Sequence, residues 1–304
     1  MTLHIESLTA CPICSGNRLQ RIQTAPDYES HTGEYGIDEC ADCGVAFTNP
    51  RPIEADLGLL YEKRDTADFP ELNNFVQRLR DYAIDRYLRA QLDSSRNGIH
   101  AAEVHVLDFG CGDGALSRGV VRYGQRHSVD TRVTAVDFHS DAPVALANVA
   151  GSRYLSYEQW QSRSERYHAV FLRHVLEHHP QPLRLLAELT AVLLPGGRVF
   201  IEVPNRRSVW AKVFGGYYSA YYLPRHLMHF DHASLAALLG RAGFSAIEVR
   251  FGHTPLLGRS LGYRLGKDIG NTGLIGLATY PMQVMVDMLC GRSSTLRATA
   301  KIRG

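Results

Sequence analysis

Beyond Gly98 the chain alternates short apolar runs with stretches whose apolar residues recur at helical spacing, the pattern of a parallel sheet with crossover helices. The runs predict seven strands, at Val104–Phe109, Arg132–Val136, Arg153–Ser156, His168–Leu172, Arg198–Val203, Ala246–Phe251 and Ser294–Ile302. Helices are predicted between them at Ala115–Tyr123, Pro143–Ala150, Leu183–Leu193 and His232–Arg241. Ahead of this region Leu72, Phe75, Val76, Leu79, Tyr82, Ala83 and Leu88 share a helical spacing, which predicts an amphipathic helix from Leu72 to Leu92 with its arginines in water.

Residues 1–50 read differently, as short polar pieces with too few apolar side chains for a core of their own. Asn49-Pro50-Arg51-Pro52 closes them off, because two prolines so close resist both helix and interior strand. The expected organisation is a small module at 1–50, a linker and helical lead-in at 51–100, and an α/β domain at 101–304. Within that domain the tyrosine-rich segment 206–230 is too long for an ordinary connection and reads as a lid. The apolar insertion 254–291 suits a pocket wall, a homodimer interface or a surface resting on a membrane. Its most apolar part, Asn271 to Cys290, is broken by Pro281, Gln283 and Asp287, and reads as a packed helix rather than a membrane span. The first ten residues are too polar for a secretory signal, so a cytoplasmic protein is expected.

Four of the six cysteines fall in two pairs, Cys11-Pro-Ile-Cys14 and Cys40-Ala-Asp-Cys43. Two such turns offer four thiolates tetrahedrally to one structural zinc ion, and the metal would supply the cohesion that the module's composition lacks. Gly44 follows the second pair, where a positive φ helps backbone amides turn toward sulfur. Disulfide or redox pairs are the alternative, and need an oxidising compartment for which there is no signal.

The run Val106-Leu-Asp108-Phe-Gly110-Cys-Gly112-Asp113-Gly114-Ala-Leu-Ser117 passes from a strand through a glycine-rich turn into a helix. Glycines there let backbone approach a ligand closely, and the helix behind offers free amides and a positive dipole end to a carboxylate. Asp108 can accept from a ligand ammonium. The next strand ends at Asp137, where an acid holds the two ribose hydroxyls of an adenosine, with Phe138 beside the adenine. Cys111 reads as a small packed residue of the turn rather than a nucleophile.

The glycine turn, the later Val-Asp137, His174-Val-Leu-Glu-His178, and Leu194-Pro-Gly-Gly-Arg-Val with Pro204-Asn205 together resemble the class I S-adenosylmethionine-dependent methyltransferases. That resemblance implies an α/β, Rossmann-like seven-stranded sheet with the last strand antiparallel. It places Gly110, Gly112 and Gly114 along the methionine part, Asp137 on the ribose, and Tyr157 and Glu158 at the adenine. A nicotinamide oxidoreductase is the rival use of such a fold, but its fingerprint is Gly-x-Gly-x-x-Gly and this turn is Gly-x-Gly-x-Gly. With the cysteine pairs, Asn-Pro-Arg-Pro and Leu60-Tyr61 ahead of it, the whole chain resembles small-molecule methyltransferases bearing a zinc ribbon, deoxysugar carbon-methyltransferases among them. Tyr61 then stands near the active-site mouth. The expected cofactor site comprises Asp108, Gly110, Cys111, Gly112, Gly114, Asp137, Phe138, Tyr157, Glu158, Arg173 and Tyr61.

Methyl transfer from a sulfonium needs an aligned nucleophile, a dry site and a proton acceptor, and histidine is the natural base near neutrality. His174 and His178 flank the turn after the fourth strand, His179 follows, and His226 and His229 lie beyond the fifth. His226 ranks first as base because Tyr222-Leu-Pro-Arg225-His226 partly matches the Tyr-His-Glu-His stretch of the sugar enzymes. His178 ranks second, and His174 is expected to line the cleft.

The net charge of +2 over 304 residues names no partner. Residues 1–50 hold Arg18 and Arg21 against seven carboxylates, the opposite of a basic nucleic-acid footprint, so an RNA target ranks below a small-molecule acceptor. A non-catalytic zinc-containing interaction protein is the remaining reading, and the intact glycine turn and Asp137 argue against it.

Overall fold

The computed structural model describes residues 3–61, 74–92, 103–271 and 274–302. The chain opens with β1 (Ile5–Glu6), β2 (Leu19–Pro26), β3 (Glu34–Cys40), β4 (Ala46–Thr48) and β5 (Arg51–Pro52). β2, β3 and β4 form an antiparallel meander, while the proline-flanked β5 pairs with β1 as a two-residue edge, where a missing amide costs nothing. After α1 (Asn74–Leu92) come β6 (Glu103–Phe109), α2 (Ala115–His127), β7 (Asp130–Asp137), β8 (Ser152–Ser156), α3 (Tyr157–Gln161), β9 (Tyr167–Arg173), α4 (Pro182–Val192) and β10 (Leu193–Pro204). The remainder runs α5 (Val209–Phe214), β11 (Met228–His229), α6 (His232–Arg241), β12 (Phe244–Gly252), α7 (Leu257–Leu265), α8 (Leu274–Cys290) and β13 (Thr295–Ile302).

Seven strands form one sheet in the order β12-β13-β10-β9-β6-β7-β8, in which β13 alone runs against its neighbours. Each predicted strand is present. The central ones read as continuous apolar runs because both faces are buried. Leu107, Val170 and Val199 face α4 and α6 through Leu185, Leu189 and Leu238, while Val106, Phe171 and Phe200 face α1 and α2 through Leu88 and Val120.

The structure departs from the sequence pattern in several places. The segment 143–150 is not a helix but a single 3-10 turn at Val144–Leu146; Pro143 and Gly151 leave it little length, and Asn148 takes a positive φ. Helix α1 buries Ile84, Leu88 and Leu92 and leaves Leu79 and Tyr82 exposed, so its inner face is rotated from the expected one. The buried face is the row Ile84, Leu88 and Leu92, spaced four apart; beside it Arg122 on α2 reaches Asp81 and Asp85 at 3.3 and 3.2 Å, and Leu72 lies outside the described residues. Helix α8 is inverted in polarity. Its Gln283 and Asp287 are buried, taking bonds from Leu256 N at 3.1 Å and Trp210 Nε1 at 2.7 Å, while Met285, Met288 and Leu289 are exposed. Among the described residues no helix is long and apolar enough to cross a membrane.

Residues 1–50 do not depend on metal alone for cohesion. Cys11, Ile13, Cys40, Val45 and Phe47 belong to the same buried cluster as Met228, Phe230 and the sheet residues Val203 and Leu296. Strand β11 joins β4, so the amino-terminal meander gains its fourth strand from the segment after β10.

Candidate active site

At the carboxyl end of β6 the chain turns through Gly110, Gly112 and Gly114 with φ of 76°, 55° and 74°, a left-handed backbone that glycine adopts without strain. A Cβ at Gly110 would lie 2.2 Å from Val175 Cγ2, so the turn is also too close to the next loop for any side chain. The amides of Gly110 and Cys111 both donate to Val136 O, at 2.8 and 3.0 Å, which pins the turn over β7. Asp137, ending β7, accepts from Gly112 N and Phe138 N, each at 2.8 Å, and faces the same cleft. Arg80 of α1 forks onto Asp113, with one bond at 2.9 Å, and ties the turn to the lead-in helix.

Asp108 is 2% exposed and accepts from Ser117 Oγ at 2.6 Å. Burial pushes its carboxyl up to about 6, against the lowering effects of the Ser117 bond and the Arg173 guanidinium. Burial likewise pushes the Cys111 thiol far up, so it is no nucleophile.

On the β8 side Phe138 is exposed, with its ring 5.3 Å from that of Tyr157. Tyr157 lines the cleft and donates to Glu188 at 3.2 Å. Glu158 is exposed and does not line the cleft; Gln161, one turn further along α3, does. No sequence signal singled out Gln161.

The opposite wall rises from the ends of β9 and β10. Arg173 turns back to Glu202 at 3.2 Å and lies over the ring of Tyr87. Burial raises the Glu202 carboxyl, yet Arg173, Arg297 and His174 prevail and hold it at about 2. His174 has a positive φ of 55° and contacts Glu177 Oε1 through Nδ1 at 3.2 Å. Burial lowers its pKa, but Glu177 and Glu202 prevail and hold it above the usual histidine value.

His178 Nδ1 lies 2.8 Å from Tyr61 Oη and 3.1 Å from Arg225 O, which joins three remote stretches of chain. The His226 ring packs 4.5 Å from it, edge to face. Since Ala220 O can only accept, the 2.9 Å contact from His226 Nδ1 fixes the proton on that nitrogen and leaves the Nε2 lone pair outward. Burial, then His178 and His229, lower the His226 pKa well below the usual value, so the ring is neutral. His229 does not line the cleft; it is buried against Thr48 Oγ1 at 3.0 Å. His179 lines the cleft and accepts from Gln181 N through Nδ1 at 3.1 Å.

The 206–230 segment, expected as a lid, is held in place as a wall. Thr48 N donates to Leu227 O at 2.9 Å and Thr48 Oγ1 to His226 O at 2.6 Å, so strand β4 positions the backbone that carries His226. Arg225 turns away to the amino-terminal module, reaching Asp27 Oδ1 at 3.5 Å and Leu60 O at 3.1 Å. Thr254, Pro255, Leu256, Arg259 and Asn271 of the insertion complete the cleft.

At the outer end of the meander the four thiols of Cys11, Cys14, Cys40 and Cys43 gather within 4.8 Å of one another. The Cys11–Cys43 and Cys14–Cys40 sulfurs lie 3.6 and 3.5 Å apart. That is far beyond a disulfide and close to the edge of a zinc–thiolate tetrahedron, about 3.8 Å for bonds of about 2.3 Å. Gly44, with φ of 73°, donates to Cys40 O at 2.8 Å and closes the second turn. The set fits one tetrahedral zinc ion.

A family model described as a methyltransferase domain matches residues 75–249. The ubiquinone biosynthesis O-methyltransferase of Hahella chejuensis (strain KCTC 2396) is 29% identical over 180 residues, covering 54% of this chain and 71% of that protein. The protein of the same name from Xanthomonas oryzae pv. oryzae (strain PXO99A) is 32% identical over 171 residues, 51% of this chain and 66% of that one. The structure of Haemonchus contortus phosphoethanolamine N-methyltransferase 2 with S-adenosyl-L-methionine shares the fold, with a TM-score of 0.53 at 18% identity over 94% of this chain and 69% of that one.

Proposed function

Since the chain belongs to the methyltransferase domain family and is an S-adenosylmethionine-dependent methyltransferase, we propose that it methylates a small-molecule acceptor on oxygen. One observation carries the reading: the glycine turn, Asp137 and the His174–His178–His226 wall open into a single cleft. The curated relatives, both named as O-methyltransferases, favour oxygen over carbon.

In this reading Asp108 meets the cofactor's ammonium, and Gly110, Cys111, Gly112 and Gly114 lie along its methionine part. Asp137 holds the ribose hydroxyls through its remaining lone pairs, and Phe138 and Tyr157 flank the adenine with Gln161 at its edge. Arg173, already committed to Glu202, stiffens the floor below. The cofactor supplies a methyl group on a sulfonium, which leaves in line toward the acceptor oxygen. His174, His178 and Tyr61 position that oxygen, and the outward Nε2 of His226 draws off its proton. The four cysteines hold a structural zinc, whose part is to keep the meander, and through Thr48 the His226 backbone, in place. The natural unit is thus the module 1–50 and the lead-in 51–100 acting with the domain 101–304.

Labelled-methyl transfer to a panel of catechols, phenols, sugar nucleotides and bulk RNA tests this. Label is expected on a hydroxyl oxygen of a small acceptor. Label on carbon would overturn the choice of atom, and label in RNA the choice of acceptor.

A pH dependence follows from Asp108. Below about 6 its carboxyl is neutral and has no charge for an ammonium, and above that it is ionised. Affinity for S-adenosylhomocysteine therefore rises as pH rises toward 6, by up to about tenfold per unit for one linked proton. Calorimetric titrations from pH 5 to 8 check it: Asp108→Asn should bind weakly with no such slope, and an equal slope in that variant would place the titration elsewhere.

A further inference from the structure

Glu177, His178 and His226 bring three ligand atoms within 4.8 Å of one another at the acceptor end of the cleft. His226 Nε2 presents a lone pair 3.9 Å from Glu177 Oε1. His178 Nδ1 lies 3.1 Å from Arg225 O and 2.8 Å from Tyr61 Oη, and the ring supplies the third ligand atom of the cluster. Glu177 is 1% exposed and its Oε2 has no hydrogen-bond partner among the described residues, while Oε1 meets His174 Nδ1 at 3.2 Å. The His226 lone pair thus stands beside a buried carboxylate whose second oxygen has no partner among the described residues, an arrangement that costs free energy unless a cation lies there.

We propose that Glu177, His178 and His226 bind a divalent transition-metal ion, distinct from the four-cysteine site, with one coordination position open to the acceptor oxygen. Two imidazoles and a carboxylate with an open position are a donor set that zinc and iron accept in catalytic sites. The outer partners agree with this use. His226 directs its Nδ1 to Ala220 O, His178 Nδ1 lies against Arg225 O and Tyr61 Oη, and His174 supports the carboxylate, as second partners do around bound metals. Three remote segments are also needed to assemble the set: the turn after β9, the wall, and β4, which fixes His226 through Thr48.

The inference rests on the reading of this end of the cleft as the acceptor side. An acceptor hydroxyl bound to the ion releases its proton to water. The oxygen lone pair then forms the new carbon–oxygen bond as the methyl–sulfur bond breaks and the thioether leaves neutral. With the ion present His226 holds metal, and the ion does the proton-withdrawing work that the bare imidazole does without it.

Zinc content of the full chain, measured by mass spectrometry after equilibration with micromolar free Zn2+ and gel filtration, tests the site. Wild type should carry two zinc ions per chain, and Glu177→Gln and His226→Ala one each, with S-adenosylhomocysteine affinity kept in both variants as the control for folding. Cobalt at the second site should add a visible spectrum without thiolate charge transfer, absent in either variant. A single zinc in wild type, or two in both variants, would overturn the site. Failure of wild type to bind S-adenosylhomocysteine while carrying two zinc ions would overturn the cofactor reading and leave the metal site standing.

Discussion

Replacing His226 by alanine should lower kcat by about 10²- to 10⁴-fold while leaving S-adenosylhomocysteine affinity unchanged, the loss expected when a positioned proton acceptor is removed. The imidazole stands on the wall across from the glycine turn, and its backbone is held by Thr48 whichever side chain it carries. His229, three residues on, provides the contrast. It is buried, bonded to Thr48 and outside the cleft, and burial, then Arg206, lowers its pKa to about 3. His229→Ala should therefore cost stability, about 1–3 kcal/mol for removing a buried ring and its bond to Thr48 Oγ1, with little effect on turnover of the folded fraction. Steady-state kinetics beside thermal melts separate the two. Equal kinetic losses in both variants would mean that the segment acts only as scaffold.

Cys40→Ser should abolish zinc at the four-cysteine site and lower the melting temperature by on the order of 10 °C or more, since structural zinc contributes several kcal/mol of folding free energy. Cys40 is fully buried and belongs to the main core cluster, so its loss reaches beyond the turn. Activity should fall as well, because β4 is both the last strand of the meander and the partner of β11. Melting curves with and without a strong chelator check this. A melting temperature unmoved by chelation would remove zinc from the account of stability.

The sheet was legible because its central strands are buried on both faces and therefore read as unbroken apolar runs, and the glycine turn because only glycine tolerates its backbone. The cysteine pairs were legible from spacing alone. What the chain concealed depends on remote partners. His226 and His229 look alike in sequence, and only pairing with a strand 178 residues earlier decides which faces the cleft. Glu177 sits inside the His174–His178 motif, but its partner His226 arrives from another segment. Arg173 ends a strand as expected and lines the cleft, but its guanidinium is held by Glu202, a buried partner on another strand. The face of α1 follows the row Ile84, Leu88 and Leu92 rather than the wider set that includes Leu79 and Tyr82, and Met285 and Met288 point to solvent because Gln283 and Asp287 have inward partners.

Calorimetric titration of the zinc-loaded chain with S-adenosylhomocysteine, beside an Asp137→Ala variant of equal thermal stability, tests the central claim most directly. One molecule should bind per chain, and the variant should lose at least about tenfold in affinity, the scale of a charge-assisted hydrogen bond. A folded wild type that takes up no ligand, or an Asp137→Ala variant that binds as tightly, would contradict the cofactor site described here.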